Sequence, residues 1–191
     1  MDKSVQMLRD IEKIADLPSA VSLEINRDYL PIIGREKGSV LENAIKDKQP
    51  KSVLEIGALI GYSSIMMAQH FRGKIVSIEI DEKTAEIARS NIKKAGFSDR
   101  INIITGDALK IIPTLKGSFD FVFIDAKKED YLKYLKTAES KMTRDAVVVA
   151  DNVGKFAKQM ADYIEYVRKS GKYKSKLFDF GFDAIEVSVR K

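Results

Sequence analysis

From Lys51 onward, short unbroken apolar runs alternate with stretches whose apolar residues recur at helical spacing. Few architectures accommodate that alternation. The runs lie at Ser52–Ile56, Ile75–Ile80, Ile101–Ile104, Phe119–Ile124 and Ala146–Ala150. An unbroken run leaves no polar face, so it fits a strand covered on both sides, as in a parallel sheet. Ala85, Ala88, Ile92 and Ala95 form one helical stripe, stopped by Gly96. Tyr131, Leu132, Leu135, Ala138 and Met142 form a second, and Met160, Ala161, Ile164 and Val167 a third. Two strand-like stretches, Ser175–Phe180 and Ala184–Arg190, follow with no helix between them. Five βα units and a strand pair predict an α/β, doubly wound, Rossmann-like sheet. It would be mostly parallel and seven-stranded, and end in an antiparallel hairpin.

The first 50 residues read differently. Val5, Leu8, Ile11 and Ala15 recur at helical spacing, as do Val40, Leu41, Ala44 and Ile45. Pro18, Pro31, Gly34 and Gly38 punctuate the segment between. The expectation is one domain over residues 1–191: a helical layer or lid over 1–50 and an α/β core over 51–191. Membrane spans and a signal peptide are not expected, since no apolar stretch approaches ~18 residues and Met1–Asp10 lacks an apolar core. With no cysteine, disulfides, thiolate metal sites and a cysteine nucleophile are excluded, and a cytoplasmic protein is the simplest expectation. The net charge of +5 leaves a polyanionic partner open, with lysines densest from Lys155 to Lys176.

In a doubly wound sheet, ligands bind beyond the carboxyl ends of the strands, so the residues that follow each strand matter most. After the first run comes Glu55-Ile56-Gly57-Ala58-Leu59-Ile60-Gly61-Tyr62-Ser63. Its glycines permit close backbone approach to a ligand, and Gly61 opens a helix whose N–H groups favour negative charge. The spacing is G-x-x-x-G, which differs from the G-x-G-x-x-G of dinucleotide binders, and by itself also fits a merely tight turn. After the second strand comes Glu79, where an acid suits ribose hydroxyls, while Asp81 reads as a helix cap. Gly106-Asp107-Ala108 lies where an adenine would sit, and Asp107 could accept from its amino group or cap the next helix. Asp125 follows the fourth strand, and Asp151-Asn152 the fifth. On adjacent strand ends these form a hard, oxygen-only set suited to Mg²⁺ or a similar ion; taken singly, each could be only a cap.

These residues in this order resemble the cation-dependent O-methyltransferases, the group that contains catechol and caffeoyl-coenzyme A O-methyltransferases. The resemblance is carried by Leu54–Ser63, Val76–Asp81, Gly106–Leu115, Phe119–Tyr131, Ala150-Asp151-Asn152-Val153 and Asp183-Ala184-Ile185-Glu186. It implies a Rossmann-like class I methyltransferase fold and S-adenosylmethionine as cofactor. Glu55, Gly57 and Ser63 would hold the cofactor's amino-acid end, with Gly61 in the same turn, Glu79 its ribose and Ala108 its adenine, with Asp107 and Asp125 alongside. Asp125, Asp151 and Asn152 would ligate the divalent cation, and Lys128 would take the acceptor's proton. A neighbouring cation disfavours an ammonium and stabilises an oxyanion, so the pairing is chemically sensible.

Departures from the family pattern bear on the acceptor. Only Val153–Phe156 separate the Asp-Asn pair from the next helical pattern, a shorter loop than usual, and the chain has no tryptophan. The expected acceptor is a small catechol-like hydroxyl compound. The alternative is 5-hydroxyuridine in transfer RNA, which bacterial relatives of the group methylate. A nicotinamide oxidoreductase would lack its fingerprint here, and a non-catalytic nucleotide- or RNA-binding module would have no use for Lys128. The N-terminal helices could act as a lid or form a homodimer.

Overall fold

A computed structural model describes residues 2–15 and 30–191. Pro18 falls outside them. Among the described residues two helices come first, α1 over Lys3–Ala15 and α2 over Gly34–Lys48. The α/β part runs β1 (Ser52–Ile56), α3 (Tyr62–Ala68), β2 (Lys74–Glu79), α4 (Glu82–Ala95), β3 (Ile101–Thr105) and the short α5 (Ala108–Ile111). It continues with β4 (Phe119–Ile124), α6 (Tyr131–Glu139), β5 (Met142–Ala150), α7 (Ala161–Lys169), β6 (Tyr173–Asp179) and β7 (Ala184–Arg190).

The seven strands make one sheet in the order β3-β2-β1-β4-β5-β7-β6. β1 pairs in parallel with both β2 and β4, and β4 with β5, while β7 runs antiparallel to β5 and to β6. The strand order reverses at the β1/β4 boundary, which opens a crevice beyond those strand ends. Side chains alternate across the sheet into two cores. Val53, Phe121, Phe123 and Val149 face α1–α4, whereas Leu54, Val122, Ile124 and Val148 face α6 and α7. Unbroken apolar runs are therefore what a sheet covered on both faces requires.

Local signals explain several boundaries. Asp81 caps α4, its carboxylate accepting from the Thr84 N–H at 2.8 Å, and Gly96 ends the helix in left-handed conformation at φ 82°. Three expectations needed correction. Met142 opens β5 and does not extend α6, because a register shift between Phe119 and Phe121 lets β5 start early enough to pair with Phe119. Gly38 sits inside α2 and is not a break: a β-carbon there would come within 2.7 Å of the Met66 side chain, so it allows α2 to pack closely. The loop after Asn152 is longer than the expected Val153–Phe156: the next helix begins only at Ala161, since residues 153–160 form hydrogen-bonded turns, with Phe156 N–H donating to the Asn152 carbonyl and Met160 N–H to that of Phe156. No helix among the described residues is long and apolar enough to cross a membrane.

Candidate active site

The carboxyl ends of β1, β4 and β5 lie side by side, and the turns that leave them build the site. Gly57 follows β1 with φ 97°, and a β-carbon there would meet the Asp125 carbonyl oxygen at 2.0 Å. Only glycine allows the two turns to touch. Asp125 in turn is fixed by its N–H, which donates to the Ile56 carbonyl, and Asp151 by its N–H to the Ile124 carbonyl. Backbone bonds thus step across three strand ends and place the carboxylates in one row.

Each carboxylate has one oxygen engaged. Asp125 Oδ1 accepts from Lys128 Nζ at 2.8 Å. Asp151 Oδ1 accepts from Lys37 Nζ and from the Asn152 N–H, both at 2.7 Å. Among the described residues, Oδ2 of each has no donor. Asn152 has left-handed backbone, φ 65°, and its side-chain nitrogen donates to Asp183 Oδ2 at 2.7 Å, while its side-chain oxygen Oδ1 has no donor among the described residues. Two carboxylate oxygens and one amide oxygen form a hard donor set that fits Mg²⁺ or Mn²⁺, with positions open for water and substrate. No three acidic, histidine or cysteine side chains gather into a cage among the described residues, so any cation here would depend on the amide as well.

Electrostatics agree with that fit. Burial and the facing Asp125 carboxylate push Asp151 up to about 7, and the Lys37 ammonium offsets this only in part. A second positive charge would relieve the repulsion. Lys37 itself is raised: burial pushes it down, but Asp151 and Asp183 together outweigh that. Asp183 is held down to about 2, because the donors on it, Lys37, the Lys155 and Ala184 N–H groups and the Asn152 amide, outweigh the cost of burial.

Lys128 lies in a short turn just before α6. Its ammonium also donates to the Tyr131 hydroxyl at 3.0 Å and sits 5.2 Å from that ring. Tyr131 is fully buried, and burial raises its phenol well above the ordinary value. The tyrosine therefore acts as a neutral, rigid wall that sets where Lys128 points.

The nucleotide side is built from β1 and β2. Gly61 caps α3 at φ 83°. Glu79 ends β2 with Oε2 accepting from the Leu59 N–H at 2.8 Å and Oε1 from the Asp81 N–H at 3.1 Å, so its carboxylate is oriented by both turns while each oxygen can accept another bond. Ile80 beside it is a large apolar side chain left 74% exposed. Asp107 caps α5, accepting from the Leu109 N–H at 2.9 Å, and Ala108 is buried. Glu55 is fully buried, takes hydrogen bonds from the Ser63 and Ser64 hydroxyls, and is raised by burial. Its place is beneath the turn, where it orders the start of α3; Ser63 lies with it.

The residues named from sequence thus fall at one crevice, with Glu55 underneath. Four others were missed: Lys37, Asp183, Tyr131 and Phe156, whose ring lies 5.8 Å from the Lys128 ammonium. Lys37 did leave a signal, since it stands four and eight residues before Leu41 and Ile45, on the apolar stripe of α2. A lysine in such a place needs a buried partner.

Known proteins share this family and fold. The family model for O-methyltransferases matches residues 16–174. Catechol O-methyltransferase of Mycobacterium tuberculosis is 45% identical over 108 residues, 55% of this chain and 49% of that protein. Catechol O-methyltransferase B of Danio rerio is 33% identical over 162 residues, 80% of this chain and 61% of that protein. The chain thus aligns with about half to three fifths of these relatives' length. An O-methyltransferase from Bacillus cereus, solved in complex with SAH, superposes with a TM-score of 0.82 at 25% identity, over 100% of this chain and 92% of that one. By the family match over most of its length and by the arrangement of its strand ends, the chain belongs to the O-methyltransferase family.

Proposed function

We propose that this protein transfers a methyl group from S-adenosylmethionine to one hydroxyl of a small catechol-like acceptor, assisted by a divalent cation. The observation that carries the reading is the row formed by Lys128, Asp125, Asp151 and Asn152, in which each of the last three keeps one side-chain polar atom tied and another without a donor among the described residues. Residues 1–191 act as one methyltransferase unit, with α2 contributing Lys37 to the wall of the site.

When bound, S-adenosylmethionine supplies an electrophilic methyl carbon, and the cation supplies positive charge for two neighbouring acceptor oxygens. Glu79 accepts from the ribose hydroxyls, with the Leu59 and Asp81 N–H groups holding its carboxylate in place. Ile80 offers an apolar face to the adenine, and Asp107 or the adjoining backbone meets its polar edge. Asp125, Asp151 and Asn152 would hold the cation through their oxygens that have no donor. Lys128, in its unprotonated form, takes the proton from the reacting hydroxyl. The oxygen's electron pair then forms the new bond to carbon as the carbon–sulfur bond breaks, and sulfur keeps that bond's electrons. Tyr131 keeps the Lys128 nitrogen aimed at the acceptor.

The test is methyl transfer from labelled S-adenosylmethionine to catechol, with Mg²⁺ and after exhaustive chelation. Turnover that needs Mg²⁺, and that falls at least about 100-fold in Lys128→Ala, supports the reading, in line with the usual yield of general-base catalysis. Full activity without cation would reduce the row of carboxylates to caps and turn formers.

A further inference from the structure

The turn after β5 displays two cations for which the mechanism has no use, Lys155 and Lys158, and of the two Lys155 lies against the Phe156 ring. Gly154 packs so closely on the start of β7 that a β-carbon would lie 2.7 Å from the Ala184 nitrogen. The Lys155 N–H donates to Asp183 Oδ1 at 2.9 Å, and the Phe156 N–H to the Asn152 carbonyl at 3.0 Å. The turn is therefore rigid, and it hangs from the same aspartate that orients Asn152. On it, the half-buried Phe156 ring lies near two ammonium groups, Lys128 at 5.8 Å and Lys155 at 5.6 Å from its centroid.

The cations around this mouth are not equivalent. Lys127 and Lys133 share Asp130, and Lys128 holds Asp125. Lys155 has no carboxylate partner among the described residues, only the Phe156 face. An aromatic ring approached by both a proton-accepting lysine and an unpaired cation suits a flat acceptor that carries a hydroxyl and an anionic group.

We propose that Lys155 and Phe156 form a subsite for aromatic acceptors that carry a carboxylate opposite the reacting hydroxyls, so that the preferred substrates are catechol acids. The inference rests on the catechol reading above. Phe156 carries the ring, and Lys155 pairs with the carboxylate at the edge of the site, where the ring partly shields it from water.

The experiment compares kcat/KM for 3,4-dihydroxybenzoate and for 3,4-dihydroxybenzylamine, which differ chiefly in the sign of the distal charge. The wild type should favour the acid. Lys155→Gln should lower the acid-to-amine ratio about fivefold, the upper end for an ion pair near solvent, mainly through KM of the acid. Lys155→Glu should lower it further, and Lys158→Glu, a nearby exposed charge outside the subsite, should leave it unchanged. An equal shift in both charge reversals would mean a general field effect and would overturn the subsite, as would a wild type that treats acid and amine alike while still methylating catechol. If no catechol is methylated at all, the underlying reading fails and the subsite fails with it. Preferential methylation of RNA over every catechol acid would also overturn it and would assign the unpaired lysine to phosphate. Because Lys155 is solvent-exposed, unchanged melting temperatures can confirm that each variant is folded.

Discussion

Lys37 in α2 and Asp183 at the start of β7, 146 residues apart, meet at 2.7 Å, and the same ammonium reaches Asp151 at the same distance. Both carboxylates are almost fully buried, so this lysine neutralises charge that water cannot reach. Asp183 passes the constraint on to the Asn152 amide and to the Lys155 backbone. One side chain from the N-terminal layer thereby anchors the turn that would hold both cation and acceptor.

Removing that anchor should be costly. Lys37→Met leaves two buried carboxylates without their counter-charge and should destabilise the fold by about 3–5 kcal/mol, the usual loss when a buried pair is broken. Urea melts of the two proteins at pH 7 measure it directly. A loss under about 1 kcal/mol would show that water reaches the pair.

Stability should respond to pH in two windows of opposite sign. Asp183 is held down to about 2, so its contribution is present above the ordinary carboxylate value of 3.8 and disappears as pH falls from there through about 2. Asp151 is pushed up to about 7, so the folded state holds that proton more tightly than the unfolded chain; its contribution is full below 3.8 and is lost as pH rises through about 7. Thermal melts should show Asp183→Asn flattening the acid limb and Asp151→Asn flattening the decline toward neutrality. If each variant keeps the wild-type slope in its window, that assignment is wrong.

Two glycines with similar backbone should behave differently. Gly96→Ala, at φ 82° with nothing within 4 Å of the added carbon, should cost only the left-handed backbone strain of about 1–2 kcal/mol. Gly57→Ala, at φ 97°, must also push the Asp125 carbonyl away, so it should cost more and lower kcat at least about 100-fold by displacing Asp125 and Lys128. Equal stability losses, or a near-normal kcat in Gly57→Ala, would mean the two turns do not need their contact.

Cofactor affinity tests the other half of the crevice. Glu79→Gln loses one charge-assisted acceptor for ribose and loosens the Leu59 and Asp81 contacts, so S-adenosylmethionine binding should weaken by about 1.5–3 kcal/mol in calorimetry. Unchanged affinity in a folded variant would remove Glu79 from the nucleotide site.

The chain's own pattern determined the sheet and the place of the site. Unbroken runs such as Phe119–Ile124 have to be covered on both faces, Asp81 and Gly96 bound α4 by local hydrogen bonding, and Asp125, Asp151 and Asn152 stand where parallel strands end. All of this depends on near neighbours, which a sequence displays. Tertiary structure decided the rest. Met142 became strand because Phe119 was there to pair with it, and Gly38 stayed in a helix because Met66 fills the space a side chain would take. Lys37, on the apolar stripe of a charged helix, and Asp183, beside a turn, do not point to each other along the chain. Only burial of both at one point, with Asp151 between them, makes them a single unit, since an ion pair gains its weight when folding removes the water around it.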